Sequence, residues 1–180
     1  MIKKALLFLL TLLPLAASAQ QAVGSWYFYP LYDGVPTRVV DTPELTYYLS
    51  LGRLYSYDKH NDESRDYVEL LNDTGISKID YNANGKFLFI GYENGNVDLL
   101  YDDGHVVNMP DIREAQISYD KSINEVDFLG NQVYVATKFG LVVFDAGTGT
   151  VRQSGIYGKN VTAVALQGDY VIINVEKKNY

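Results

Sequence analysis

The sequence predicts an all-β fold, a fan of four-stranded antiparallel sheets, and three observations carry that expectation. First, one unit is written nearly twice in succession, as ISKIDYNANGKFLFIGYENGNVDLLYDDG from Ile76 and as INEVDFLGNQVYVATKFGLVVFDAGTG from Ile123. Each copy runs through a short apolar strand, a Gly/Asn turn, a second strand, a glycine and a third strand. Second, the glycines ahead of that third strand, Gly52, Gly95 and Gly140, recur at about 44 residues, the length of a four-stranded propeller blade and not of a helical or leucine-rich repeat. Third, the composition includes 16 Tyr and 15 Gly, and no stretch beyond the first residues sustains a helical period of apolar side chains. Aromatic and β-branched residues suit pleated, half-buried surfaces, and glycine suits the corners between short strands. The predicted architecture is an incomplete β-propeller of about three and a half blades.

Residues 1–19 open the chain with Lys3 and Lys4, an apolar run from Ala5 to Leu13, and Ala17-Ser18-Ala19. This is the pattern of a secretory signal peptide cut between Ala19 and Gln20, with an apolar run too short to span a bilayer. No cysteine follows the cut, so a lipid-anchored lipoprotein is excluded. Residues 20–180 form the propeller domain. Its first strand is expected at residues 25–29, around Trp26-Tyr27-Phe28-Tyr29. In a closed ring such a strand completes the last blade.

The blades are expected at residues 38–71, 76–109 and 123–153, with a half blade over 161–175. In the blade from Ile76, the first strand carries Ile76 and Ile79, and its equivalents are Ile123 with Val126 and Val161 with Val164. Ser77, Lys78, Asn124 and Glu125 are expected to line the ends of that strand. The second strand, residues 87–90, 133–136 and 170–173, reads almost continuously apolar, as a strand covered on both faces should. The third, residues 97–101 and 141–144, ends in Asp102-Asp103-Gly104 and Asp145-Ala146-Gly147, which are hairpin turns. The fourth is more polar, near residues 106–109 and 150–153. The glycine expected in the fourth copy is replaced by Lys178, so the ring is expected to be open and the sequence to be a truncated or partial form of a longer protein. An open array that dimerises is the other outcome.

Charge and composition exclude several functions. The formal net charge is −7, and removal of Lys3 and Lys4 makes it more negative, which disfavours binding to phosphate backbones or anionic membranes. There is no cysteine, so stability comes from packing alone and no thiol nucleophile exists. Serines and threonines lack the strand-to-helix elbow of a hydrolase. His60 and His105 fall in polar turns without further ligands in sequence, and the run from Asp58 to Glu63 lacks the central glycine and spaced glutamate of a calcium loop. No catalytic, metal or cofactor residue is therefore assigned. Tyr32, Tyr92, Tyr119 and Tyr157 lie in or beside turns, where packing at blade ends outweighs a glycan-stacking platform.

Four stretches carry a family resemblance: YYLSLGRLYSYDK (47–59), LFIGYENGNVDLLYDDGHVVNMPDI (88–112), VYVATKFGLVVFD (133–145) and SGIYGKNVTAVALQGDYVII (154–173). They resemble the N-terminal propeller of PorZ-type proteins of the type IX secretion system, over almost the whole chain beyond the leader. The segment ATKFGLVVFDAGTG is also similar to propeller repeats of hybrid two-component regulators. The first resemblance implies a non-enzymatic surface protein in a complex that anchors exported cargo to lipopolysaccharide. Its implied partners are proteins of that complex, with lipopolysaccharide or another glycan as a further ligand, and its implied location is the periplasm or outer surface of a Gram-negative bacterium. The second implies a periplasmic sensor propeller that binds an oligosaccharide. A third class, a glycan hydrolase or lyase, requires acids clustered on one face of a closed ring.

Overall fold

The computed structural model describes residues 34–156 and 158–176. The leader with Ala19 and Gln20, the strand expected at 25–29, and the positions Tyr32, Tyr157 and Lys178 lie outside the described residues.

Four sheets follow one another along the chain. The first contains β1 (Arg38–Asp41), β2 (Leu45–Ser50), β3 (Arg53–Asp58) and β4 (Ser64–Asp66), and the second β5 (Ile76–Asn82), β6 (Phe87–Tyr92), β7 (Val97–Tyr101) and β8 (Val106–Met109). The third is built from β9 (Ile123–Leu129), β10 (Gln132–Thr137), β11 (Gly140–Asp145) and β12 (Thr150–Ile156). Among the described residues the fourth contains β13 (Val161–Gln167) and β14 (Tyr170–Val175). Every pairing is antiparallel and every neighbour in a sheet is a neighbour in sequence. This is the up-and-down order of propeller blades, three with four strands and one with two among the described residues.

Local chemistry sets the corners. Leu51 and Gly52 both adopt positive φ, 52° and 72°, which gives the two-residue hairpin whose twist matches the flanking strands. At the β10–β11 corner the Thr137 hydroxyl donates to the Gly140 carbonyl at 2.8 Å and accepts from the Phe139 and Gly140 amides. A buried turn thereby has its polar groups satisfied.

Packing between blades uses both faces of one strand. Along β6, Phe87 and Phe89 join the core shared with Val126, Val133, Val135 and Phe144 of the third sheet. Leu88 and Ile90, pointing the other way, join Tyr47, Leu49, Leu54 and Tyr67 around the first sheet. Successive side chains of a strand leave on opposite faces, so β6 holds two blade interfaces at once and is buried throughout. Phe87 meets Phe128 edge-on, with ring centroids 5.8 Å apart, a favoured arrangement of two aromatic quadrupoles.

Two expectations are corrected. The strand over residues 170–173 was expected to be covered on both faces, yet Tyr170 is 76% and Ile172 51% exposed. Val161 and Val164 seal the near side against Ala136, Tyr134 and Leu141, but no described sheet packs on the far side. The connection after β8 also contains one helical turn, α1 (Asp111–Glu114), in a chain read as lacking helix. It is too short to show a periodicity, and it buries Ile112 against the second and third sheets.

Candidate ligand-binding site

At one end of the first two blades, turns from both sheets enclose a cavity of about 300 Å³. Thr42, Pro43, Glu44 and Leu45 come from the β1–β2 turn, Ala83 and Lys86 from the β5–β6 turn, and Asp102 from the β7–β8 turn. Tyr47 and Tyr81 complete the lining. The Tyr81 hydroxyl donates to both oxygens of Asp102, at 3.2 and 3.0 Å. Burial, then the hydrogen bond to Asp102 and its charge, push the Tyr81 phenol up to about 12. Tyr47 is pushed higher still, by burial first and then by Tyr67, Asp102 and Tyr81. Both phenols therefore stay neutral at physiological pH, with the Tyr81 hydroxyl committed to Asp102 and that of Tyr47 to Tyr67.

The rim carries both signs of charge. Glu44 pairs with His60 Nε2 at 2.6 Å. Lys59 pairs with Asp41 at 2.8 Å and donates to the Thr42 carbonyl. Hydrogen bonds from Lys59 and Thr46 hold the Asp41 carboxyl below its ordinary value. His105 stacks on Tyr101 with ring centroids 4.2 Å apart and bonds Asp103. The two histidines thus flank the same end of the molecule, each on a carboxylate. Among the described residues no three His, Cys, Asp or Glu side chains converge on a metal position.

The acidic run from Asp58 is a capped turn. Asp58 Oδ1 accepts from the His60 amide at 2.8 Å and the Asn61 amide at 3.2 Å. Of the tyrosines expected to pack at blade ends, Tyr92 is completely buried, whereas Tyr119 is 50% exposed. The Tyr92 hydroxyl donates to Asp98 at 2.6 Å, which removes it from any glycan surface. Lys78, expected to line an end of its strand, is buried and ion-paired with Glu125 of the next blade.

Sequence reasoning missed the polar cluster that ties the connector between the first two sheets to the second. Asp98, with no exposed surface, accepts from the Asn72 amide at 2.9 Å, the Asn72 side chain at 3.0 Å, Tyr92 and Asn108. Asp73 accepts from Asn94 at 2.8 Å, from the Thr74 amide at 2.8 Å and from Arg113 at 3.3 Å. Burial pushes its carboxyl up, but these hydrogen bonds outweigh burial and hold it low. Spacing along the chain gives no signal for partners so far apart.

A family model, described as the PorZ N-terminal β-propeller domain of the type IX secretion system, matches residues 46–180. The chain belongs to this family. Among solved structures it is similar to PorZ of Porphyromonas gingivalis, described as an essential bacterial surface component of the type IX secretion system, with 32% identity and a TM-score of 0.71. That match covers 77% of this chain and 19% of PorZ, so the chain spans about a fifth of that structure's length. The computationally designed Ika4 protein is similar in fold at 15% identity and a TM-score of 0.65, covering 83% of this chain and 90% of Ika4. The extracellular domain of the putative hybrid two-component system BT4673 from B. thetaiotaomicron shares the fold at 16% identity and a TM-score of 0.59, over 76% of this chain and 19% of that one. No curated protein sequence matches. Among the described residues no helix is long and apolar enough to cross a membrane.

Proposed function

We propose that this chain is an exported, non-enzymatic propeller module that acts by binding proteins, with lipopolysaccharide as a further ligand, in type IX secretion and the attachment of cargo at the cell surface. The observation that carries the reading is the family match over residues 46–180, with 32% identity to a protein described as a surface component of that system. The pattern of residues 1–19 supports export with a cut between Ala19 and Gln20. The architecture supports binding over catalysis, because it is a series of buried sheets that present turns at their ends.

The test is deletion of the coding segment for residues 20–180 in the producing bacterium, with restoration from a plasmid. Type IX cargo is expected to leave the surface fraction for the medium on deletion and to return on restoration. Unchanged surface cargo in the deletion strain overturns the reading. Intact-mass analysis of the surface protein checks the proposed start at Gln20.

A further inference from the structure

We propose that the cavity between the first two blades binds one neutral sugar ring of a polysaccharide. The inference rests on the reading of this chain as a binding module and assigns it a site. Three features of the cavity carry it.

The first is chemistry. Tyr81 supplies aromatic surface and a neutral hydroxyl in front of the buried Tyr47, while Pro43 and Leu45 add apolar wall and Asp102 and Glu44 supply acceptors. Aromatic surface beside a few convergent polar groups is how a site holds a molecule with an apolar face and a polar edge. A sugar ring has that form, with C–H bonds on one face and hydroxyls around its rim. At about 300 Å³ the cavity is at the small end for ligand sites, which limits the occupant to a single ring with the rest of a chain outside.

The second is charge. Glu44 is engaged by His60 and Asp102 by Tyr81, while among the described residues no carboxylate pairs with Lys86. An anionic ligand meets two carboxylates, and a cationic one meets the uncompensated ammonium of Lys86. A neutral ligand with hydroxyl donors and acceptors meets neither penalty.

The third is backbone conformation. Lys86 has a φ of 54°, uncommon for a residue with a long side chain and without the local hydrogen bonding that favours Asn or Asp there. Its carbonyl accepts from the Asp102 amide at 3.1 Å, which locks the two rim turns together. Strain of this kind collects where a side chain has to be presented at a fixed place.

The purified chain is titrated with methyl α-D-mannopyranoside and methyl β-D-galactopyranoside, with glucuronate as the anionic control, and binding is followed by saturation-transfer NMR. At least one neutral glycoside is expected to bind, and glucuronate is expected not to. Lys86→Gly relieves the positive φ and so keeps the fold, and Tyr81→Phe removes a single hydroxyl. Each is expected to weaken binding by about tenfold with thermal unfolding no lower than that of the parent for Lys86→Gly. Purified O-polysaccharide and capsular polysaccharide of the producing strain are then used as separate competitors, and displacement by either supports the proposal and names the source. Absence of neutral glycoside binding, full binding by both variants, or displacement by neither polysaccharide overturns it. A cargo defect on deletion without sugar binding by the purified chain sinks this inference alone, and sugar binding without a cargo defect on deletion sinks the functional reading alone.

Discussion

Lys78 and Glu125 stand at the same position of successive repeats, third in the innermost strand of each blade, and form an ion pair across the blade interface. The two ends of the pair are unequally buried, since the Lys78 side chain is 5% exposed and that of Glu125 31%. The ammonium therefore depends on the carboxylate more than the reverse. Glu125→Ala is expected to cost about 3 kcal/mol by stranding a buried cation, and Lys78→Met about 1 kcal/mol, because its partner keeps some water. The double variant Lys78→Met with Glu125→Leu is expected to recover most of the larger loss. Urea unfolding midpoints check the order, and equal costs for the two single changes contradict the assignment.

Asp98 gathers its hydrogen bonds from the β6 and β8 strands at one end of the second blade and from the connector ahead of it. Asp98→Ala leaves the Asn72 amide, the Asn72 side chain and the Tyr92 hydroxyl without their acceptor in a dry place, while Asn108 keeps Asn96 and the Val97 carbonyl. The expected loss is about 3–5 kcal/mol, since each stranded polar group costs about 1–3 kcal/mol and some relax. Tyr92→Phe removes one partner and is expected to cost about 1 kcal/mol. Denaturant titration of the two variants measures the difference. A tolerated Asp98→Ala shows that water enters and satisfies the cluster.

Gly52 and Gly95 mark the same corner of the first two repeats but have different surroundings. Gly95 has a φ of +86°, and an added Cβ meets Ile112 Cγ2 at 2.7 Å and the Lys121 carbonyl oxygen at 2.9 Å. Gly52, at φ +72°, has only Gly75 Cα near, at 3.9 Å. Alanine at Gly52 is expected to cost about 1 kcal/mol of backbone strain. At Gly95 the overlap with backbone and a packed isoleucine is expected to raise the loss to about 3 kcal/mol. Thermal unfolding of the two single variants is the comparison, and parity between them shows that α1 moves aside freely.

The repeat was readable because blade geometry is local. The continuous apolar run at residues 87–90 and the glycine corners at Gly52 and Gly95 each depend on neighbours within a few residues. The parts that escaped depend on what lies across the fold. The apolar text of residues 170–173 resembles that of residues 87–90, yet one strand is half exposed and the other enclosed, because burial belongs to the adjoining sheet. Packing was the expected role of Tyr92, but its partner Asp98, on the next strand, could not be named from position beside a turn alone. The cavity at the blade ends was equally illegible. Glu44, Lys86 and Asp102 come from three turns, and none is marked in sequence as belonging with the others.

Acid unfolding distinguishes specific carboxylate contacts from bulk repulsion in this acidic chain. Asp41, Asp73 and Asp120 all have carboxyls held below their ordinary value of 3.8, Asp120 at about 2 through hydrogen bonds from Lys138 and Ser122. A group depressed in the folded state binds its proton less readily there than in the unfolded chain. Its stabilisation is complete above about pH 4 and is lost as pH falls toward 2. Asp120 is half exposed, where solvent screens an ion pair, so most of the effect is assigned to Asp73, whose side chain is 21% exposed. The urea midpoint is expected to hold between pH 7 and 5 and to fall below 4. Asp73→Asn is expected to flatten that fall, and Asp120→Asn to leave it nearly unchanged. The opposing force is the net charge of −7, whose mutual repulsion eases as carboxylates are protonated. A midpoint that climbs from pH 4 to 2.5 shows that repulsion outweighs the Asp73 contacts.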